Sequence, residues 1–118
     1  MINQNTLLGR FFFKETDNGN LIGELSNYPG PEISTESADW IKGCDDKCAN
    51  CRYHGTYHST WLDDDGPQYA ELKIFKNKKT GANKLFTLEW RDKNGKLIYE
   101  GEGMLCDGIL IGDYHDMK

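Results

Sequence analysis

Three cysteines and a histidine fall within one short segment, at Cys44, Cys48, Cys51 and His54. Thiolate sulfur and imidazole nitrogen are the ligands that tetrahedral zinc takes in structural sites. A bound ion would also order a connection that has no regular structure of its own. These four residues are therefore the predicted metal site, and Zn²⁺ is the cofactor that the sequence indicates.

The spacing of these residues leaves other states of the thiols open. Zinc sites commonly take two pairs of ligands from separate turns, whereas here all four candidates lie in one segment. Cys106, which lies far along the chain, is an alternative fourth ligand. Without a metal, the thiols either stay free or Cys44 and Cys51 form a disulfide.

Four carboxylates form a second set of residues that could do chemistry, because each lies near the end of a predicted strand. Grouped around a cavity mouth, they would repel one another, which raises the pKa of some carboxyls and supplies acid–base groups. Exposure on an outer face is the simpler expectation for charged side chains. A small barrel enzyme, such as an isomerase or hydrolase, is thus an alternative function. Its candidate residues, working with a histidine, are Glu24, Glu100, Glu102 and Asp113.

The elements that position these residues are marked by a phrase that occurs three times, over 18–24, 94–100 and 107–113. Each copy starts with Asn-Gly or Asp-Gly, which suits a type I′ hairpin turn with positive φ at both central residues. A strand follows, in which leucine, glycine and tyrosine share the face expected to be core. Glycine in a strand weakens it unless neighbouring backbone or a ring passes close by. The pattern predicts β-hairpins.

The whole chain is predicted to be one all-β domain over 1–118, an antiparallel up-and-down meander barrel of seven to eight strands. A two-sheet sandwich is the second choice. The seven strands that the pattern shows are 8–16, 21–27, 54–62, 69–76, 85–91, 97–105 and 109–115. The long connection 28–53 is expected to carry one or two helical turns over 34–41, the cysteine segment, and an eighth short strand if one exists.

The segment 107–114 resembles the D-G-x-L-x-G-x-Y hairpin of the avidin and streptavidin family. Gly55-Thr56-Tyr57 is similar to the G-T-W strand opening of that family. Lipocalins, which are also small meander barrels, resemble this chain in the same pattern of turns between strands. The resemblance implies an antiparallel barrel whose open end accepts a small ligand. It also implies that Tyr114 contacts that ligand.

The favoured function is binding of a small ligand or a protein partner by a barrel that is not an enzyme. Aromatic side chains on the predicted strands would line its interior, although plain core packing is the alternative role for such rings. A zinc-stabilised interaction module is a third hypothesis. The candidate ligand-binding residues are Tyr57, Trp61, Trp90, Tyr99 and Tyr114.

Composition limits the partners and the compartment. The 118 residues have a formal net charge of −5, which argues against nucleic acid and anionic membrane surfaces because both attract basic proteins. No apolar run approaches the roughly 20 residues of a membrane helix, and the N-terminal residues lack the basic start of a signal peptide. We therefore expect a cytoplasmic protein, and the sequence leaves homo-oligomerisation open.

Overall fold

The computed structural model describes residues 7–28, 30, 32–43, 52–76 and 85–117. Within them, eight antiparallel strands follow one another in chain order and close into a single barrel, because the last strand pairs with the first. The predicted all-β meander barrel is therefore confirmed. The strands are β1 (Leu7–Glu15), β2 (Leu21–Asn27), β3 (Ser34–Gly43), β4 (Gly55–Asp63), β5 (Gly66–Lys76), β6 (Leu85–Arg91), β7 (Leu97–Cys106) and β8 (Ile109–Asp116).

The helical turns expected over 34–41 are wrong, because this segment is the strand β3. It pairs with β2 on one side and with β4 on the other, so it is the eighth strand that the closed barrel requires. Two full ladders of backbone hydrogen bonds outweigh the capping preference of Ser34, since so short a helix is not stable alone. No helix in the described ranges is long and apolar enough to span a membrane.

The three predicted hairpin turns differ in their geometry. Asp107 and Gly108 both have positive φ (52° and 81°), as the type I′ turn between β7 and β8 requires. At the other two turns, Gly19 and Gly95 alone have positive φ (85° and 84°). The amide of Gly95 donates to the carbonyl of Asp92 at 2.9 Å, so this loop is a wider turn in which glycine supplies the left-handed residue.

Side chains alternate between the barrel interior and its outer surface along nearly every strand. The face predicted to be core is buried, and strand glycines lie where neighbouring backbone comes close: a Cβ on Gly23 would overlap the carbonyl oxygen of Phe12. The interior is a single apolar cluster. Its buried members are Phe11, Phe13, Leu21, Ala38, Tyr53, Tyr57, Ala70, Leu72, Ile74, Phe86, Leu88, Trp90, Leu110 and Tyr114.

One end of the barrel is closed by Tyr53, which precedes β4 and is 1% exposed. Its hydroxyl lies 2.7 Å from the carbonyl oxygen of Gly108 and 3.0 Å from that of Phe13, to either of which it can donate. The neighbouring Arg52 side chain donates to the Glu15 carboxylate at 2.9 Å, and Glu15 also accepts from the backbone amide of Tyr53. These contacts hold the tyrosine ring over one end of the core.

Candidate functional site

A cavity of about 70 Å³ lies at the end of the barrel opposite Tyr53. The ends of β2, β4, β6 and β8 and the starts of β1, β3 and β7 contribute its walls, because an up-and-down barrel brings these termini together. Because a water molecule occupies roughly 30 Å³ in the liquid, this volume is room for about two waters or for the polar head of a small ligand. The lining residues are Leu8, Leu25, Asn27, Ser34, Glu36, Trp61, Asp63, Trp90, Tyr99 and Tyr114.

Glu36 on β3 is the buried carboxyl of this cavity, with 2% of its surface exposed. Its Oε2 accepts hydrogen bonds from the Ser59 hydroxyl and, at 2.8 Å, from the indole nitrogen of Trp90. Burial removes water from the charged form and outweighs these two donors, so it raises the pKa of Glu36 from 4.5 to about 7. The group is therefore close to half protonated at neutral pH.

Four aromatic side chains lie around Glu36. Directly paired positions place Trp61 beside Glu36 and Tyr99 beside Trp90. Tyr99 packs edge-on against Trp61 and Trp90, with ring centroids 6.1 and 6.4 Å apart, and it lies 5.9 Å from Tyr114. Burial raises the pKa of both tyrosines, so their hydroxyls stay protonated at neutral pH. The cavity thus combines one titratable carboxyl with a continuous cluster of rings.

A glycine on β1 allows the last of these rings to reach its partner. Gly9 is paired with Asn27 on one side and with Tyr114 on the other. The Tyr114 hydroxyl donates to Asn27 Oδ1 across this bare position. A Cβ on Gly9 would overlap the backbone carbonyl oxygen of Ser26 on β2, and it would lie 2.9 Å from the Tyr114 hydroxyl oxygen. The close pairing of β1 with β2 and the position of the Tyr114 ring therefore both depend on residue 9 having no side chain.

The structure brings four of the five predicted ligand-binding residues together at this cavity: Trp61, Trp90, Tyr99 and Tyr114. Tyr57 lies elsewhere. It is 2% exposed, and its hydroxyl donates at 2.9 Å to the backbone carbonyl of Tyr53, near the closed end. Its place is in the core, which was the alternative role for the aromatic set.

The four carboxylates considered for an enzyme do not lie in the cavity. Glu24, Glu102 and Asp113 are exposed on the outer surface, and Glu100 is partly exposed there, 3.6 Å from His115. Each lies between two inward-facing positions of its strand, so the alternation of the strand directs it outward. The placement of these residues at a cavity mouth is therefore wrong, and the simpler expectation of an outer face is confirmed.

The predicted metal ligands Cys44, Cys48 and Cys51 lie outside the described residues. His54, the fourth, is described and partly buried just before β4. Within the described ranges, no three or more His, Cys, Asp and Glu side chains are grouped so that they could hold a metal ion. Cys106, the alternative ligand, is exposed. The zinc site stays a prediction.

Glu36 is the residue that the sequence analysis missed. The segment around it was assigned to a helix, where this glutamate would be an ordinary surface residue. The available signal was the need for an eighth strand, because β3 places Glu36 and Ala38 on one face and both are buried. The pairing with Ser59 and Trp90 has no signal in the sequence, since these residues lie 23 and 54 positions away.

Comparison with family models, with curated proteins and with solved structures gives no match to this chain.

Proposed function

We propose that this protein binds a small molecule in the cavity at the open end of its barrel. The observation that carries the proposal is the lining itself, in which a buried carboxyl lies among four aromatic side chains. Ligand sites typically combine apolar and aromatic walls with a few polar groups that fix the orientation of the ligand. Plain core packing would not require a glutamate at this position.

The difference between the two ends of the barrel supports this proposal. Tyr53 covers the closed end, where it is 1% exposed and its hydroxyl can donate to either of two backbone carbonyls. At the open end, Trp61 is only partly buried and Asp63 is exposed, so a ligand can enter from solvent. Because the cavity is small, we expect either a small ligand or a larger one that inserts only its head group.

The resemblance of 107–114 to the avidin and streptavidin hairpin, and more broadly to lipocalin-type barrels, agrees with this proposal. In that family, the open end of the barrel accepts the ligand and a tyrosine in this hairpin contacts it. Tyr114 is the matching residue here, and it lines the cavity. The resemblance indicates where the ligand binds and not which ligand it is.

A fragment screen by ligand-observed NMR, together with native mass spectrometry of freshly purified protein, tests the proposal. We expect fragments that bind with submillimolar to millimolar affinity and lose affinity in Trp61→Ala. The matched control is Trp40→Ala, since Trp40 lies on the adjacent strand, is 51% exposed and does not line the cavity. Equal loss of affinity in both variants, or no fragment that shifts the Trp90 indole resonance, would contradict binding in this cavity.

A second candidate is an enzyme that uses Glu36 as a general acid or base. The supporting observation is the pKa of about 7, which allows a carboxyl to give or take a proton near neutral pH. Recovery of a chemically altered ligand after incubation with the protein would favour this candidate. The conversion should stop in Glu36→Gln, whereas a ligand that is always recovered unchanged favours binding alone.

A further inference from the structure

The charge of the cavity lining restricts the chemistry of the ligand. Its two charged side chains are Glu36 and Asp63, and among the described residues that line it there is no lysine, arginine or histidine. An anionic ligand would meet a carboxyl in a poorly hydrated site without a cation to balance it, which is strongly unfavourable. A cation instead compensates the charge that burial makes costly.

The hydrogen bonds of Glu36 point to the same class of ligand. Ser59 and Trp90 both donate to Oε2, and among the described residues no donor to Oε1 is present. The two donors fix the carboxyl group and leave Oε1 as an acceptor for a ligand. A charged N–H donor forms a stronger hydrogen bond with a carboxylate than a neutral donor does.

The rings favour an organic cation over a metal ion. Ammonium groups are attracted to the faces of tryptophan and tyrosine within about 6 Å of the ring centroid, and rings also bury the carbon atoms of such ligands. Metal sites in proteins are built mainly from histidine, cysteine, aspartate and glutamate, and the described residues provide no cluster of three or more of these side chains. One carboxylate among rings is therefore better suited to nitrogen attached to carbon.

We infer that the cavity binds a small organic ammonium ion, whose nitrogen contacts Glu36 and whose carbon atoms contact Trp61, Trp90, Tyr99 and Tyr114. This inference rests on the proposed function, because it names the ligand class of the same site. The volume of about 70 Å³ limits the buried part to a head group of a few heavy atoms. The ammonium ion binds the ionised form of Glu36. Near pH 7, binding therefore releases the proton from the fraction of Glu36 that was protonated. The other titratable groups of the lining are Asp63 at the exposed rim and the two tyrosines, which stay protonated.

Three probes of matched size and different charge test the inference: n-propylammonium, 1-propanol and propionate. Binding is followed on the full chain by the Trp90 indole resonance at pH 7.5. We expect n-propylammonium to bind at least tenfold more tightly than the other two. Isothermal titration in buffers of different ionisation enthalpy should show release of up to about half a proton at pH 7.

Two variants separate the role of Glu36 from general charge effects. Glu36→Gln should lower the affinity for n-propylammonium at least tenfold and abolish the proton release. Glu24→Gln, on the outer surface, should leave both unchanged. The inference is overturned if propanol or propionate binds as well as the ammonium probe, or if Glu36→Gln does not affect affinity, and small-molecule binding would then still stand. If no probe and no library fragment perturbs the cavity, the proposed function falls as well.

Discussion

Replacement of Glu36 by glutamine should change how the stability of the protein depends on pH. The carboxyl is buried, and its pKa in the folded protein is about 7 against an ordinary value of 4.5. The folded state therefore holds a proton more tightly than the unfolded state does. The contribution of Glu36 to the unfolding free energy is therefore most favourable below pH 4.5. It is lost as pH rises toward and through 7.

The magnitude follows from the two pKa values. One pKa unit corresponds to about 1.4 kcal/mol, so ionisation of Glu36 destabilises the folded state by roughly 3 kcal/mol above pH 8. Glutamine keeps an oxygen that can accept from Ser59 and Trp90 but carries no charge. Between pH 4 and pH 8, the wild type should therefore lose roughly 3 kcal/mol of unfolding free energy relative to Glu36→Gln.

Urea denaturation, followed by circular dichroism at several pH values, measures this difference. With an m-value of about 1–3 kcal/mol/M, the relative midpoint should move by about 1–3 M. Glu24→Gln serves as the control for removal of one carboxyl from the surface. Parallel pH profiles for wild type and Glu36→Gln would contradict this prediction, because they would mean that the charge of Glu36 is as well hydrated or paired in the folded protein as in the unfolded chain.

Three further predictions concern the barrel ends and the cysteine segment. Tyr53→Phe removes the one hydroxyl proton that the carbonyls of Phe13 and Gly108 share at the closed end, and it should destabilise the protein by about 1–3 kcal/mol in urea denaturation. The same change at Tyr69, which is 60% exposed, should have little effect, and equal losses would contradict the role of the closed end. Gly9→Ala should push β1 away from the Ser26 backbone as well as from the Tyr114 ring, so it should lower stability in urea denaturation and weaken fragment binding at least tenfold in NMR titrations; unchanged stability and affinity would contradict this close packing. Protein purified under reducing conditions without added metal should contain about one zinc per chain by elemental analysis, and less in Cys48→Ser; metal-free protein would remove the zinc site and leave the thiol and disulfide alternatives.

The fold was largely predictable because its signals are local. Asn-Gly and Asp-Gly mark the hairpins, and the alternation of residues such as Phe86, Leu88 and Trp90 marks an inward face. The helix predicted for segment 34–41 was wrong because the structure of this segment depends on non-local pairing. Its polar residues and a capping serine are locally typical of a helix start, and only pairing with β2 and β4 makes it a strand. Local preference is a weak guide where non-local hydrogen bonds decide the structure.

The candidate site was predictable in its rings but not in its carboxyl. Trp61, Trp90, Tyr99 and Tyr114 are large inward-facing residues near strand ends, so the alternation pattern finds them. The four carboxylates were candidates because each copy of the repeated phrase becomes acidic toward its end, but they lie in the middle of β2, β7 and β8, and the period of two directs them outward. Glu36 could be found only once its strand was known. A buried acid is identified by the side chains that contact it. For Glu36, these are Ser59 on β4 and Trp90 on β6, which are distant in the sequence.

The decisive measurement is an NMR titration of the Glu36 carboxyl carbon, with the Trp90 indole resonance as a second reporter. It shows whether a desolvated carboxyl among aromatic rings forms a site for a small cationic ligand. We predict a midpoint near pH 7 in the free protein and a lower midpoint with saturating n-propylammonium. A midpoint near 4.5 in the free protein, or one that does not move when the ammonium probe is added, would contradict such a site.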